Sequence, residues 1–179
     1  MEETVRVETP LSEEAARSLR AGQEVAISGV VYAARDMAHK RLCELIESGG
    51  ELPIRLGGQV IYFVGPSPAA KGRVIGSAGP TTSARMDAFS PRLIEKGLRG
   101  MIGKGYRGQA VRDAMVKWGA VHFAATGGAG ALLSRHIVSA KVAAYEDLGT
   151  EAIRELVLKD FPAVVAYDCY GGTVYREEV

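Results

Sequence analysis

Thiols are scarce in this chain of 179 residues: Cys43 and Cys169 stand far apart and in unrelated contexts. Two such cysteines make no disulfide framework, and they are too few for an iron–sulfur cluster, which takes about four thiolates. His39, His122 and His136 show no metal-ligand spacing with either cysteine, so the chain by itself predicts no metal site. An excess of one charge is missing too: 22 Lys and Arg against 21 Asp and Glu leave a net charge of +1, which argues against a nucleic-acid surface that works by bulk charge. No apolar run approaches the length of a membrane span, and the opening MEETVRVETP is acidic with no apolar stretch. The expectation is a cytoplasmic protein that engages neither membrane nor nucleic acid, so its partners must be argued from local sites.

What is present is an apolar content of 47%, too high for disorder. The length suits a single domain over 1–179 that buries its own core, with 1–10 as an extended N-terminal segment. Internal repeats and long linkers are absent.

Ser12 opens an acidic turn before Ala15, Ala16 and Leu19, which predicts a short helix ending near Gly22. Glu24 to Ala34 reads as a mostly buried strand with a bulge at Gly29, and Arg35 follows at its C-terminal end. Asp36 is placed as the cap of a helix carrying Ala38, Leu42, Leu45 and Ile46, stopped by Gly49 and Gly50. Val60 to Val64 reads as a strand, with Arg73 to Ser77 as its hairpin partner. Ser83 to Lys96 is expected to be broadly helical with Pro91 interrupting it, and Leu98 to Ile102 to be a strand leading into the GKG turn. Val111, Ala114, Met115 and Trp118 form a helical stripe that assigns Trp118 to the core. Ala120 to Ala124, Ile137 to Tyr145 and Leu156 to Tyr167 read as further strands, and Asp168 to Gly172 as a hairpin end. The sum is an α/β domain with a mixed sheet.

Arg35, the segment Thr81 to Arg85, Lys104 and the loop Thr126 to Gly128 all stand where a strand hands over to a loop. In open α/β sheets such loops converge in one crevice at the carboxyl ends of the strands. An Arg fork grips a carboxylate bidentately and Lys adds a compact charge, so the constellation suits a small dianion. Plainer roles compete at each position. Thr82 or Ser83 caps a helix, Arg85 and Lys104 are solvated charges, and Arg35 pairs with Asp36 or Glu44. His39 supports Arg35, Asp87 orients Arg85, and His122 and His136 are satisfied structural histidines. Nucleotide binding is disfavoured, because the GKG turn lacks the upstream glycine and following hydroxyl of a phosphate-binding P-loop.

RDMAHK, GPTTSARMD, GKGYRG and ATGGAGALL occur here in order, at a spacing that resembles the β subunit and C-terminal region of class I, iron–sulfur-dependent fumarases, from about Leu11 to the chain end. A close relative is the β subunit of L(+)-tartrate dehydratase. The RMD sequence with Asp87, together with Arg107 and the TGGAGA loop, leans toward the fumarase side. The resemblance implies a swivelling β/β/α domain. It implies an α subunit whose cysteines hold a [4Fe–4S] cluster, in an assembly of two α and two β chains acting on a small dicarboxylate. It carries Arg35, Arg85 and Lys104 over as the cationic clamp and sets Thr81 beside the transferred proton. Thr82 and Gly127 join the substrate-binding positions, with Asp36, His39 and Asp87 in support. A non-catalytic small-anion binding module is the competing expectation, and it would bind its ligand without partner or iron.

Overall fold

A computed structural model describes residues 3–126 and 128–176. The elements in chain order are β1 (Val5–Thr9), α1 (Glu13–Ser18), β2 (Glu24–Ala33), α2 (Asp36–Ser48), β3 (Val60–Tyr62), α3 (Ser90–Glu95), β4 (Gly100–Gly103), α4 (Gln109–Trp118), β5 (Val121–Ala124), α5 (Gly130–Leu133), β6 (Ile137–Ala144) and β7 (Ile153–Tyr167). They build a mixed α/β fold on one seven-stranded sheet of order β1-β2-β3-β4-β5-β7-β6. Strands β2 to β5 run parallel to their neighbours, and β1 is parallel to β2. Strand β7 runs antiparallel to β5 and also to β2, which closes β2, β3, β4, β5 and β7 into a ring.

The strands divide their side chains between two apolar clusters, as period-2 alternation requires. Val60 and Tyr62 of β3 enter one with Ile27, Val31, Phe123, Leu156 and Phe161, while Ile61 enters the other with Leu42 of α2, Leu93 of α3 and Met115 of α4. Helices α2, α3 and α4 therefore cover one face of the parallel strands. Ser12 caps α1 by accepting the Ala15 N–H, and Gly49 ends α2 in the left-handed region. Gly29, at φ 111°, marks a register shift in the β2–β7 ladder, and a Cβ there would lie 2.5 Å from the Thr9 carbonyl oxygen.

Several local expectations are corrected. Residues 73–77 form no strand; β3 is only Val60–Tyr62 and pairs with β2 and β4 instead of entering a hairpin. Pro91 opens α3 instead of breaking a longer helix, because its missing N–H falls among the groups a first turn leaves unbonded anyway. Trp118 ends α4 at 40% exposure with the Lys117 ammonium 5.1 Å from its ring centroid, so it is no core residue. Asp36 is the first helical residue of α2, and Arg35 occupies the cap position with no side-chain hydrogen bond to the helix start.

Candidate active site

Because β2, β3, β4 and β5 are parallel, the residues after each emerge at one edge of the sheet. The ladder continues past the strands proper: Ala34 N–H donates to Tyr62 O at 3.1 Å, Phe63 to Ile102 O at 2.8 Å and Ala125 to Gly103 O at 2.9 Å. Beyond Phe63 the chains of β3 and β4 separate, and the segment Thr81–Thr82–Ser83 enters the gap. Thr81 N–H donates to Phe63 O at 2.7 Å, Ser83 N–H donates to Lys104 O at 2.9 Å, and Thr82 bridges Lys104 in parallel register. Backbone bonds thus seat the hydroxyl-bearing loop beside Lys104.

Glycine makes this insertion possible. A Cβ on Gly103 would lie 2.1 Å from Ser83 Oγ and 2.9 Å from the Phe63 ring, so any side chain at 103 would expel the loop. The Gly79–Pro80 approach to the loop is fixed from two sides: Tyr62 OH donates to Ala78 O at 2.5 Å, and Ala78 N–H donates to Gly130 O at 3.2 Å. A Cβ on Gly130 would meet Ser77 Oγ at 2.3 Å and Gly79 N at 2.9 Å, so the start of α5 abuts the GPTT segment. Thr126 is exposed at the end of β5, and Gly127 lies outside the described residues.

Arg35 emerges from β2 and lies across Gly65, where a Cβ would come within 2.9 Å of Arg35 Cδ. Asp36 stands between two arginines: its Oδ2 accepts from Arg85 Nε at 3.0 Å and lies 2.9 Å from Nη2, while Oδ1 is 3.8 Å from Arg35 Nε. Arg35, Asp36 and Arg85 therefore form one charged group. The Arg85 side chain is 53% exposed, and Thr82 and Lys104 are exposed, so the group opens to solvent. Glu151 Oε1 lies 3.5 Å from the Met37 N–H at the start of α2, so a second carboxylate borders this group.

His39 touches Arg35 through the backbone, its Nδ1 lying 2.8 Å from Arg35 O. Nδ1 consequently carries the proton, and Nε2 is buried without a partner. Burial pushes the imidazole down to about 4, with the Arg107 charge adding to the effect, so His39 is neutral near pH 7. Its role is to brace the turn that presents Arg35.

Asp87 does not orient Arg85. It accepts from Arg107 Nε at 2.8 Å on Oδ1 and from Gly108 N–H at 2.6 Å on Oδ2. The Arg107 side chain has 0% exposure and also donates to Ser90 Oγ at 2.7 Å, while its Nη1 lies 3.4 Å from His122 Nδ1. His122 Nε2 is in turn 3.1 Å from Ser83 Oγ. Burial, reinforced by the Arg107 charge, holds the His122 imidazole well below its usual range, so it too is neutral. Sequence reasoning gave Ser83 only as a helix cap and missed Ser90 and this use of Arg107. The available signal was a histidine in the apolar run of β5, and it does not name its partners.

The residues present do not fit a metal cluster. Among the described residues no group of three or more His, Cys, Asp or Glu could hold a metal ion. Both cysteine thiols are pushed up by burial, and Cys43 Sγ lies against Phe89 O at 3.6 Å. What the site can do is bind an anion: forks and an ammonium beside a hydroxyl, at the ends of parallel strands.

Comparison with known proteins places the same residues in a family. The family model for the fumarase C-terminus matches residues 1–178. The chain is 36% identical over 157 residues to the anaerobic class I fumarate hydratase of Escherichia coli K12, covering 87% of this chain and 29% of that protein. It is 33% identical over 158 residues to fumarate hydratase 2 of Leishmania major, covering 87% and 28%. A Methanocaldococcus jannaschii protein with the provisional name L(+)-tartrate dehydratase subunit beta is 34% identical over 173 residues, covering 93% and 89%. The chain thus spans under a third of the length of these fumarate hydratases but nearly all of the length of the tartrate dehydratase subunit.

Proposed function

The chain belongs to the fumarase C-terminus family, and from that premise we propose that it is the β subunit of a hydro-lyase that interconverts fumarate and (S)-malate. It supplies the dicarboxylate-binding half of the active site. The observation that carries this reading is the grouping of Arg35, Arg85 and Lys104 with the Thr81–Thr82 loop on one exposed edge of the sheet.

Removing the elements of water from malate takes a proton from the carbon beside one carboxylate while hydroxide leaves the neighbouring carbon. Negative charge grows on that carboxylate, and fixed cations stabilise it more in the transition state than in the ground state. Arg35 and Arg85 orient the two carboxylates by their forks, and Lys104 adds a point charge. Asp36 holds the Arg85 fork in place before substrate arrives. Thr81, whose N–H is seated on Phe63 O, is on this proposal the residue beside the transferred proton. A hydroxyl is a weak base near neutrality, so its proton moves only with help from a second group.

The exposure of the clamp supports a second half from elsewhere. We assign that half to an α subunit holding a [4Fe–4S] cluster, in an assembly of two α and two β chains; among the described residues of this chain no group of three or more His, Cys, Asp or Glu could hold a metal ion. Cytoplasmic residence and a swivelling attachment of the domain belong to the same proposal.

The test is anaerobic turnover of fumarate, malate and L-tartrate by this chain mixed with a cluster-bearing α subunit, beside each chain alone. Fumarate and malate turnover only in the mixture is the expected result, with Arg85→Ala and Lys104→Ala each lowering kcat/KM by about a hundredfold. Turnover of tartrate alone would reassign the substrate, and full turnover by the isolated chain would overturn the division of labour. Dicarboxylate binding to the isolated chain without turnover in any mixture would favour the binding-module reading.

A further inference from the structure

Among the described residues six polar or charged side chains are buried, and four of them, Ser83, Ser90, Arg107 and His122, belong to one network beneath the clamp. A buried guanidinium is costly, and replacing such a group and its partners with apolar side chains commonly leaves stability unchanged or improved. Stability is therefore a weak explanation for this network, and its geometry offers a better one.

We infer that the hydrogen-bonded chain Arg107–His122–Ser83 is a positioning device that sets the spacing between the Thr81–Arg85 segment and Lys104. Arg107 lies three residues after Lys104 and reaches into the segment that carries the other clamp residues. It meets Asp87 at 2.8 Å and Ser90 at 2.7 Å directly, and it reaches Ser83 through His122 at 3.4 and 3.1 Å. One guanidinium thus holds residues 83, 87 and 90 against the turn at 104–108. The His122 ring joins the two sides whichever nitrogen carries its proton, because a hydroxyl such as Ser83 Oγ can donate or accept. Ser83 then carries two ties to the β4–β5 side: its N–H to Lys104 O at 2.9 Å and its Oγ to His122. Ser83 Oγ is also the atom that a Cβ at Gly103 would strike, so hydroxyl, imidazole and bare glycine fit as one unit. None of Ser83, His122 or Arg107 is assigned contact with substrate; they act through Thr81, Thr82 and Lys104. That last role rests on the proposed function, whereas the geometric role does not.

Amide hydrogen exchange on the full chain reads the geometry without any activity. In His122→Phe the Ser83 amide should exchange about tenfold faster or more, while the β-ladder amide of Val165 keeps its wild-type rate; in His122→Gln, whose amide can still hydrogen-bond Ser83 Oγ, protection should return. Ser83→Ala should reproduce the local loss at its own amide if His122→Phe fails to fold. Uniform acceleration of all slow amides, or no rescue by His122→Gln, would overturn the inference. In the mixture with the α subunit, kcat/KM should fall about a hundredfold in His122→Phe and recover in His122→Gln. Absence of turnover by the wild-type mixture would sink the proposed function and leave the exchange result standing.

Discussion

Substituting His39 by Phe should make the protein markedly less sensitive to mild acid. The His39 ring is fully buried between aromatic neighbours, its centroid 5.3 Å from that of Phe63 and 6.4 Å from that of Phe89, so a phenyl ring keeps the packing. The lost bond is a second one: Arg35 O still accepts the His39 backbone N–H at 2.9 Å. The sign follows from proton uptake. An unfolded histidine titrates near 6.5, whereas the folded His39 titrates at about 4 because charging it would leave Nε2–H buried without an acceptor. Below pH 6.5 the unfolded chain therefore takes up a proton that the native chain refuses, and stability falls by about 1.4 kcal/mol per pH unit per such group until the folded value is reached. From pH 6.5 to pH 5.0 that is about 2 kcal/mol for His39, and His122, whose imidazole burial also holds low, adds a loss of the same sign. Glu13 and Asp147, whose carboxyls are held low by Arg17 and Arg41, stay ionised through this window and do not contribute. Urea unfolding followed by circular dichroism at pH 7.5 and 5.0 should show the wild type losing about 2 kcal/mol more than His39→Phe loses. Equal losses in the two proteins would refute the reasoning, because His39 would then be accepting its proton in the folded state at no cost.

Gly103→Ala should destabilise by about 1–3 kcal/mol in the same urea assay, since its Cβ would strike Ser83 Oγ and the Phe63 ring; a neutral result would mean that the loop yields freely. Cys43 and Cys169 should react slowly with a thiol reagent at pH 8 in the folded protein and rapidly in denaturant, because both are buried and their thiols are pushed up. Fast native labelling of either would contradict its packing.

Local patterning was enough to place Arg35 and Lys104 at strand ends, which parallel strands bring to one edge. Thr81 to Arg85 follow no strand, and it is the backbone bonds of their loop to Phe63 O and Lys104 O that seat them there. What the pattern did not carry was pairing at a distance. Asp36 and Asp87 lie near Arg35 and Arg85 in sequence, yet Asp87 belongs to Arg107, 20 residues on, and Arg85 belongs to Asp36, 49 residues back. A carboxylate near two cations does not declare its partner until the turns are folded. Trp118 illustrates a second limit: it falls on the helical period of Val111 and Met115, both buried, but period fixes a direction and not whether anything lies there to cover it. The segment 73–77 shows a third, because β propensity makes no strand where no neighbouring strand offers a ladder.

The closure of the sheet through β2 and β7 also has a bearing on how the chain is made. Glu24 pairs with Val164, so the partners are 140 positions apart (164 − 24), and at ribosomal rates of about 5–20 residues per second β2 waits on the order of ten seconds for β7 to be synthesised. During that interval one edge of β2 has no native partner, and its alternating Val25, Ile27 and Val31 are the sort of surface that pairs with strangers. Pairing over such a span comes late by topology alone, so the growing polypeptide carries this open edge before it has a site at all.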